Sequence, residues 1–562
     1  MLIVRLGASM QINPTTSAAP AGRLTWPRCV LALLMLMVLT AALRLPLLDI
    51  PLERDEGEYA YIAWRLAHNE LPYRDWVDQK PPAVFWVYRA ALAMPMPSVR
   101  AIHVAALLFS AATAGALFLM ARVFTSDAWA LLGAALFTLL SADPHIQGTS
   151  ANTEAFMLLP LVLSQWAFLY CGPGNPRRLV WMFSCGLLIG VATAFKQVAA
   201  ASWPLLLVLY PIFFGGEKRL RNAWSFATCS AIGFFAVWAI IVAYFYSRNG
   251  LHDLTYNVLT HNLEYINTIP WSERLKLLQK TLGQLAPTQG AVWIFALVGL
   301  IGVWKAGRIG LLLFLLQWFL ASVAGVGASG YFFPHYFQQA LPVLCVAAAL
   351  GGEQIARADF WGRAPERARK TIVALVACAL PAIFVVPFLF QSPDEVSKTI
   401  YPSNHFPEMQ RIGKRLAEVT TPADKVYVFG AEPEVLFYGK RVSATRYIFL
   451  FPLYGSYRDA REKQMATIEE IETNRPGALL YMPNSLFFTK GTEQQLTQWT
   501  QAALMKNFSG DLWLAADQGG SGHLYSGQGI RPPPETRGQR VLGGLFVRKP
   551  ATSVPASQSP EH

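Results

Sequence analysis

Charge is what this sequence has least of. Only 15% of its 562 residues are Asp, Glu, Lys or Arg, while 53% are hydrophobic; a soluble chain would carry about a quarter charged. A large soluble globule is thereby excluded and a polytopic membrane protein implied. The six cysteines all fall in or beside apolar runs, so the polar segments hold no disulfide framework. No Cys/His spacing of a metal site occurs, and no internal repeat is visible. The net charge of +12 comes in short basic clusters between apolar runs. Cytoplasmic membrane loops look like this, and nucleic acid is not expected as a partner.

What is present is a series of apolar runs. A bilayer core takes about 20 apolar residues as a helix, fewer where flanking side chains snorkel. On that criterion about eleven spans are predicted, at 29–48, 99–121, 128–142, 151–170, 180–197, 199–214, 223–246, 290–304, 309–327, 338–352 and 371–390. Residues 197–200 read equally as a break within one bundle element. Loops of one parity carry Arg122, Arg177, Arg178, Lys218, Arg219, Arg221, Lys305, Arg308 and the cluster from Arg357 to Lys370, whereas 143–150 and 328–337 carry no Lys or Arg. The positive-inside rule then puts segment 1–28 in the cytoplasm, and the loops 49–98 and 247–289 and all residues after about 391 on the outer face.

Residues 391–548 read as a separate α/β domain, with helices at 405–419, 457–474 and 493–505 and strands at 425–430 and 477–483. The tail 549–562 has the composition of a disordered segment.

The loop 49–98 opens with "RDEGEYAYIAWRLAHNELPYRDWVDQKPP", three acids in four positions (Asp55, Glu56, Glu58) in an otherwise charge-poor chain. A helix over about 56–69 puts Glu58, Tyr59 and Ile62 on the same face as Asp55, which then sits at the N-cap. Two readings stand side by side. Asp55 caps an interfacial helix, or the loop's carboxylates and Lys80, held ahead of two prolines in extended chain, serve an anionic lipid head group and a proton transfer. Lys196, near the outer end of a span, is either a snorkelling cation or a phosphate ligand. His145 reads as a surface residue.

The same stretch, continued as "AVFWVYRAAL", resembles the first outer loop of the polyprenyl-phosphate-sugar-dependent glycosyltransferases of the GT-C superfamily, among them the protein O-mannosyltransferases and the lipid A aminoarabinose transferases. "SANTEAFMLLPL" (150–161), "GLLIGVATAFKQVAA" (186–200) and "FFPHYFQQALPVL" (332–344) add to the likeness, which covers most of residues 30–350. The resemblance implies a GT-C bundle in a bacterial inner membrane. Asp55 would be the catalytic base and Glu56 its partner, with Glu58, Tyr59 and Glu154 near substrate. Lys80, His335 and Tyr336, with Lys196, would lie near the carrier phosphate. His261, Asn262 and Tyr265 lie in the loop that contacts substrate in relatives. Gln79 stands where the aminoarabinose branch typically has Glu, which argues against that branch and against a metal site; a divalent metal has no clear ligand set.

The implied reaction is an inverting transfer of a sugar from a polyprenyl-phosphate carrier to a protein, lipid or glycan acceptor in the cell envelope. Lys80 would stabilise the departing phosphate and Asp55 would activate the acceptor. The alternative is a transporter or lipid flippase, but that class predicts repeats and mid-membrane ionisable residues, and here the acids gather in one outer loop.

Overall fold

A computed structural model describes residues 24–266, 269–454, 457–483 and 494–550. Two units are distinguished: Met1–Leu52, Ile62–Arg74 and Asp78–Ile400 form one, and Glu53–Tyr61, Asp75–Val77 and Tyr401–His562 the other.

The first unit is helical. Eight helices among the described residues are long and apolar enough to cross a membrane, from Trp26–Leu47 to Glu366–Phe390, and three shorter apolar helices, Asp127–Leu140, Thr153–Phe168 and Gln197–Phe213, accompany them. Together they are the elements expected as eleven spans. Residues 197–201 are a 3-10 turn that joins the helices Arg178–Phe195 and Ser202–Phe213. One expectation is corrected: the span at 290–304 is only the second half of a 35-residue helix, Trp271–Lys305, so residues 271–289 are helix and not loop.

Lipid supplies little hydrophobic drive between helices, so close packing through small residues must. A Cβ at Gly186 would lie 1.8 Å from the Ser230 carbonyl oxygen, and one at Gly351 1.8 Å from that of Phe295. These contacts bring Arg178–Phe195 against Arg219–Ser247 and Trp271–Lys305 against Leu341–Arg357. The helix Pro393–Ile400 groups with this unit, where Val396 is buried with Leu47, Ile50 and Phe388.

The second unit is built on a six-stranded sheet of order β2-β1-β3-β6-β4-β5. Its strands are β1 (Lys425–Phe429), β2 (Val442–Ser443), β3 (Ala478–Tyr481), β4 (Phe508–Ala516), β5 (Gly522–Gly529) and β6 (Arg540–Arg548). β1 runs parallel to β2 and β3, and β6 antiparallel to β3 and β4. Tyr427, Phe429, Leu479, Leu496, Phe508, Trp513 and Phe546 form its core, with Val77 of the early loop among them. The helices Phe406–Val419, Ala460–Asn474 and Gln495–Asn507 pack around it. The tail from Ala551 onward lies outside the described residues.

Candidate functional site

In the helical unit the Lys80 loop is pinned by its own backbone. The Lys80 amide donates to Asp78 Oδ1 at 2.7 Å, and the Tyr73 hydroxyl to the Lys80 carbonyl at 2.6 Å. The Gln79 carbonyl accepts from Gln197 Nε2 at 3.0 Å and from Asn262 Nδ2 at 2.9 Å. Asn262 thus acts on the loop that carries Lys80. The prolines do not both extend the chain: Pro82, at φ −77° and ψ −12°, caps the helix Ala83–Ala91, because a missing N–H costs nothing at a helix start.

Next to Gln197, Lys196 is only 9% exposed and forms an ion pair with Glu154, whose other oxygen accepts from Thr153 Oγ1 at 3.0 Å. The Lys196 ammonium lies 3.8 Å from the centre of the Tyr336 ring. Lys196 therefore does not snorkel; it is a buried cation with a buried counter-ion. His335 Nδ1 is 2.6 Å from Gln147 Oε1, and its ring meets Tyr336 edge-on at 4.7 Å. Stacked rings continue from His335 through Phe333 and Tyr331 to Tyr265, at 5.9, 5.5 and 5.0 Å. One side of this unit so gathers the Lys80 loop, Glu154, Lys196, His335, Tyr336 and Tyr265. His145, expected at the surface, is half-buried beside the fully buried Asp143 carboxylate at 2.8 Å.

An apolar cavity of about 830 Å³ lies among the helices Trp271–Lys305, Ile309–Gly327 and Leu341–Arg357, lined by Leu278, Trp293, Leu316 and Leu344 among others. Among the described residues Arg274 is the only charged side chain in its lining. The guanidinium donates from Nε to the Ile269 carbonyl at 3.0 Å and lies 4.7 Å over the Trp271 ring. Sequence reasoning missed Arg274 because it took 271–289 for loop; Trp271 and Arg274, one helical turn apart ahead of an apolar run, were the available signal.

In the second unit the acidic stretch begins the helix Arg54–Leu66. Asp55 is inside its first turn and is not the cap. Glu53 holds that place: its side chain accepts from the Glu56 amide at 3.3 Å, and Glu56 returns the bond from the Glu53 amide at 3.1 Å. This reciprocal pair is a capping box built with two glutamates. Burial, then the charges of Asp55 and Glu56, raise the Glu53 carboxyl well above the ordinary range.

Asp55 itself is half-buried and accepts from the Tyr59 hydroxyl at 3.4 Å; Glu58 and Tyr59 are buried. Arg54 donates to the Ala431 carbonyl at 2.5 Å and lies 4.0 Å from Glu432. A Cβ at Gly57 would lie 2.4 Å from that of Glu434, so only glycine lets the helix sit there. The Glu434 carboxyl is fully buried, and burial followed by Glu432 raises it well above the ordinary range. Among the described residues no three His, Cys, Asp or Glu side chains group as metal ligands.

Residues 79–244 match the family described as dolichyl-phosphate-mannose-protein mannosyltransferase. No curated protein matches the chain. Two crystal structures of ArnT from Cupriavidus metallidurans, one bound to undecaprenyl phosphate and one in the apo state, superpose with TM-scores of 0.58 and 0.55. They are 15% and 14% identical to the chain, and each match covers 86% of this chain and 96% of the other. The archaeal oligosaccharyltransferase AglB from Archaeoglobus fulgidus, in complex with an inhibitory peptide and a dolichol-phosphate, is 13% identical over 92% of this chain and 76% of its own, with a TM-score of 0.49. The chain is a multi-pass membrane protein that shares its fold with ArnT, and its residues 79–244 are similar to the dolichyl-phosphate-mannose-protein mannosyltransferases.

Proposed function

We propose that the chain is an inverting glycosyltransferase that moves a sugar from a polyprenyl-phosphate carrier to an acceptor on the outer face of the inner membrane. The observation that carries this reading is the apolar cavity of about 830 Å³ with one cation, Arg274, in its lining. An apolar cavity with one positive group among its described lining residues suits a lipid that has one anionic end. The ArnT structure bound to undecaprenyl phosphate shares the fold and supports the same ligand class.

In the proposed reaction Asp55 takes the proton from an acceptor hydroxyl as that oxygen bonds to the anomeric carbon. The bond from the same carbon to the carrier phosphate breaks, leaving polyprenyl phosphate with the electron pair. One displacement inverts the centre. Lys80 and Arg274 stabilise the departing charge, and the Tyr59 hydroxyl, which donates to Asp55 Oδ2 at 3.4 Å, orients the carboxylate. Glu56 caps the helix beside Asp55. Lys196, held by Glu154 and Tyr336, keeps Gln197 on the Gln79 carbonyl and so positions Lys80. The test is release of carrier lipid by the protein in its native membranes, which carry the acceptor, given a panel of synthetic polyprenyl-phosphate sugars. Turnover of at least one donor is expected; binding without release across the panel would overturn the reading.

A further inference from the structure

The α/β unit contains a second cavity, of about 420 Å³, between the ends of the helices Ala460–Asn474 and Gln495–Asn507 and the sheet. Three cations line it, Arg475, Lys506 and Arg548, against one acid, Glu472. Glu472 is engaged by the Trp499 indole, which donates to it at 3.0 Å and is thereby held in place at the wall. Arg548 donates from Nε to the Pro476 carbonyl at 2.8 Å and stacks 4.9 Å over Phe508. Neither the Arg475 guanidinium nor the Lys506 ammonium has a side-chain partner among the described residues. Burial, and after it the charge of Arg475, disfavours the charged form of Arg548. Three cations against one carboxylate leave the lining with an excess of positive charge, which a bound anion would balance.

We infer that this cavity binds an anionic saccharide, a sugar ring bearing a carboxylate or a phosphate. Its volume falls in the range of small-ligand sites and suits one or two rings. The fixed Trp499 indole offers a flat apolar surface to a ring, and Glu472 and Asn507 offer an acceptor and a donor to hydroxyls. The cations take the acid group. This site is separate from the transfer reaction and does not depend on it; its occupant is an anionic envelope polysaccharide that docks the protein.

The experiment is calorimetric titration of the full-length protein in nanodiscs with digalacturonate, a hexose 1-phosphate, lactose and inorganic phosphate. One of the two anionic saccharides is expected to bind at least about tenfold tighter than lactose, since a charged hydrogen bond contributes about 1.5–3 kcal/mol and tenfold is about 1.4. Which of the two binds identifies the acid group. The affinity should fall as salt rises. Arg475→Asn, chosen because Arg475 has φ +43° and Asn tolerates that region, and Lys506→Gln should each weaken it about tenfold with unchanged melting temperature. Equal binding of lactose, equal binding of inorganic phosphate, no binding of either anionic saccharide at millimolar concentration, or unchanged affinity in both folded variants would each overturn the inference.

Discussion

Lys196 and Glu154 form an ion pair between residues that are 9% and 1% exposed, and the face of Tyr336 covers the cation. Such a pair need not stabilise relative to apolar residues, but losing one partner leaves a buried charge uncompensated, at about 3–5 kcal/mol. Glu154→Gln should therefore lower the melting temperature of the protein in nanodiscs, and Glu154→Gln with Lys196→Met should recover most of the loss. A Glu154→Gln variant that melts like the parent while losing turnover would instead make Glu154 a reacting group.

Lys80 and Arg274 are expected to act on the carrier. Lys80→Ala should weaken donor use while Lys80→Arg keeps part of it, as another cation of different geometry. Arg274→Gln should weaken binding of polyprenyl phosphate itself, by about 10- to 100-fold if a charged hydrogen bond is lost. Binding of the labelled carrier to each variant separates these effects from chemistry; unimpaired binding in Arg274→Gln would remove that residue from the site.

Gly57 tests the seat of the Asp55 helix. Alanine there must push against Glu434, because the two Cβ atoms would be 2.4 Å apart. Overpacking of this kind costs about 1–3 kcal/mol, so Gly57→Ala should destabilise the protein in a denaturant titration. A neutral result would mean that the contact yields without cost.

The Glu434 carboxyl has a raised affinity for its proton in the folded state, from burial and from Glu432. A raised folded value means that its contribution to stability is complete below about pH 4.5 and is lost as pH rises toward the folded value. Glu434→Gln, a neutral isostere of the protonated acid, should leave stability near pH 4.5 about unchanged and raise it at higher pH. A melting-temperature profile from pH 4.5 to 8 that is parallel for parent and variant would contradict this.

Much of the architecture was legible in the residues. The apolar runs marked the membrane helices. The predicted helix 405–419 corresponds to Phe406–Val419, and the predicted strands 425–430 and 477–483 to β1 and β3, because each apolar run ends at turn residues. Strands β4, β5 and β6 were not legible. Glycines interrupt their side-chain alternation, and β4 carries register shifts at Gly510/Leu512 and Leu514/Ala515 that move side chains to the other face. The Glu154–Lys196 pair joins residues 42 apart in sequence, which no local pattern reports. Asp55 looked like a cap because Asp is a favoured capping residue, whereas the helix starts two residues earlier and Glu53 closes the box with Glu56.

That last arrangement sharpens the test of the central claim, that the Asp55 carboxylate is the base. Since Glu53 caps the helix, Asp55→Asn removes no cap, and its amide oxygen still accepts from Tyr59. The measurement is turnover of purified Asp55→Asn, with parental melting temperature, on a donor the parent uses. Loss of general-base help predicts a fall of about 100- to 10,000-fold with carrier binding retained. Turnover within a few-fold of the parent would contradict the account and leave the Asp55 carboxylate a structural group.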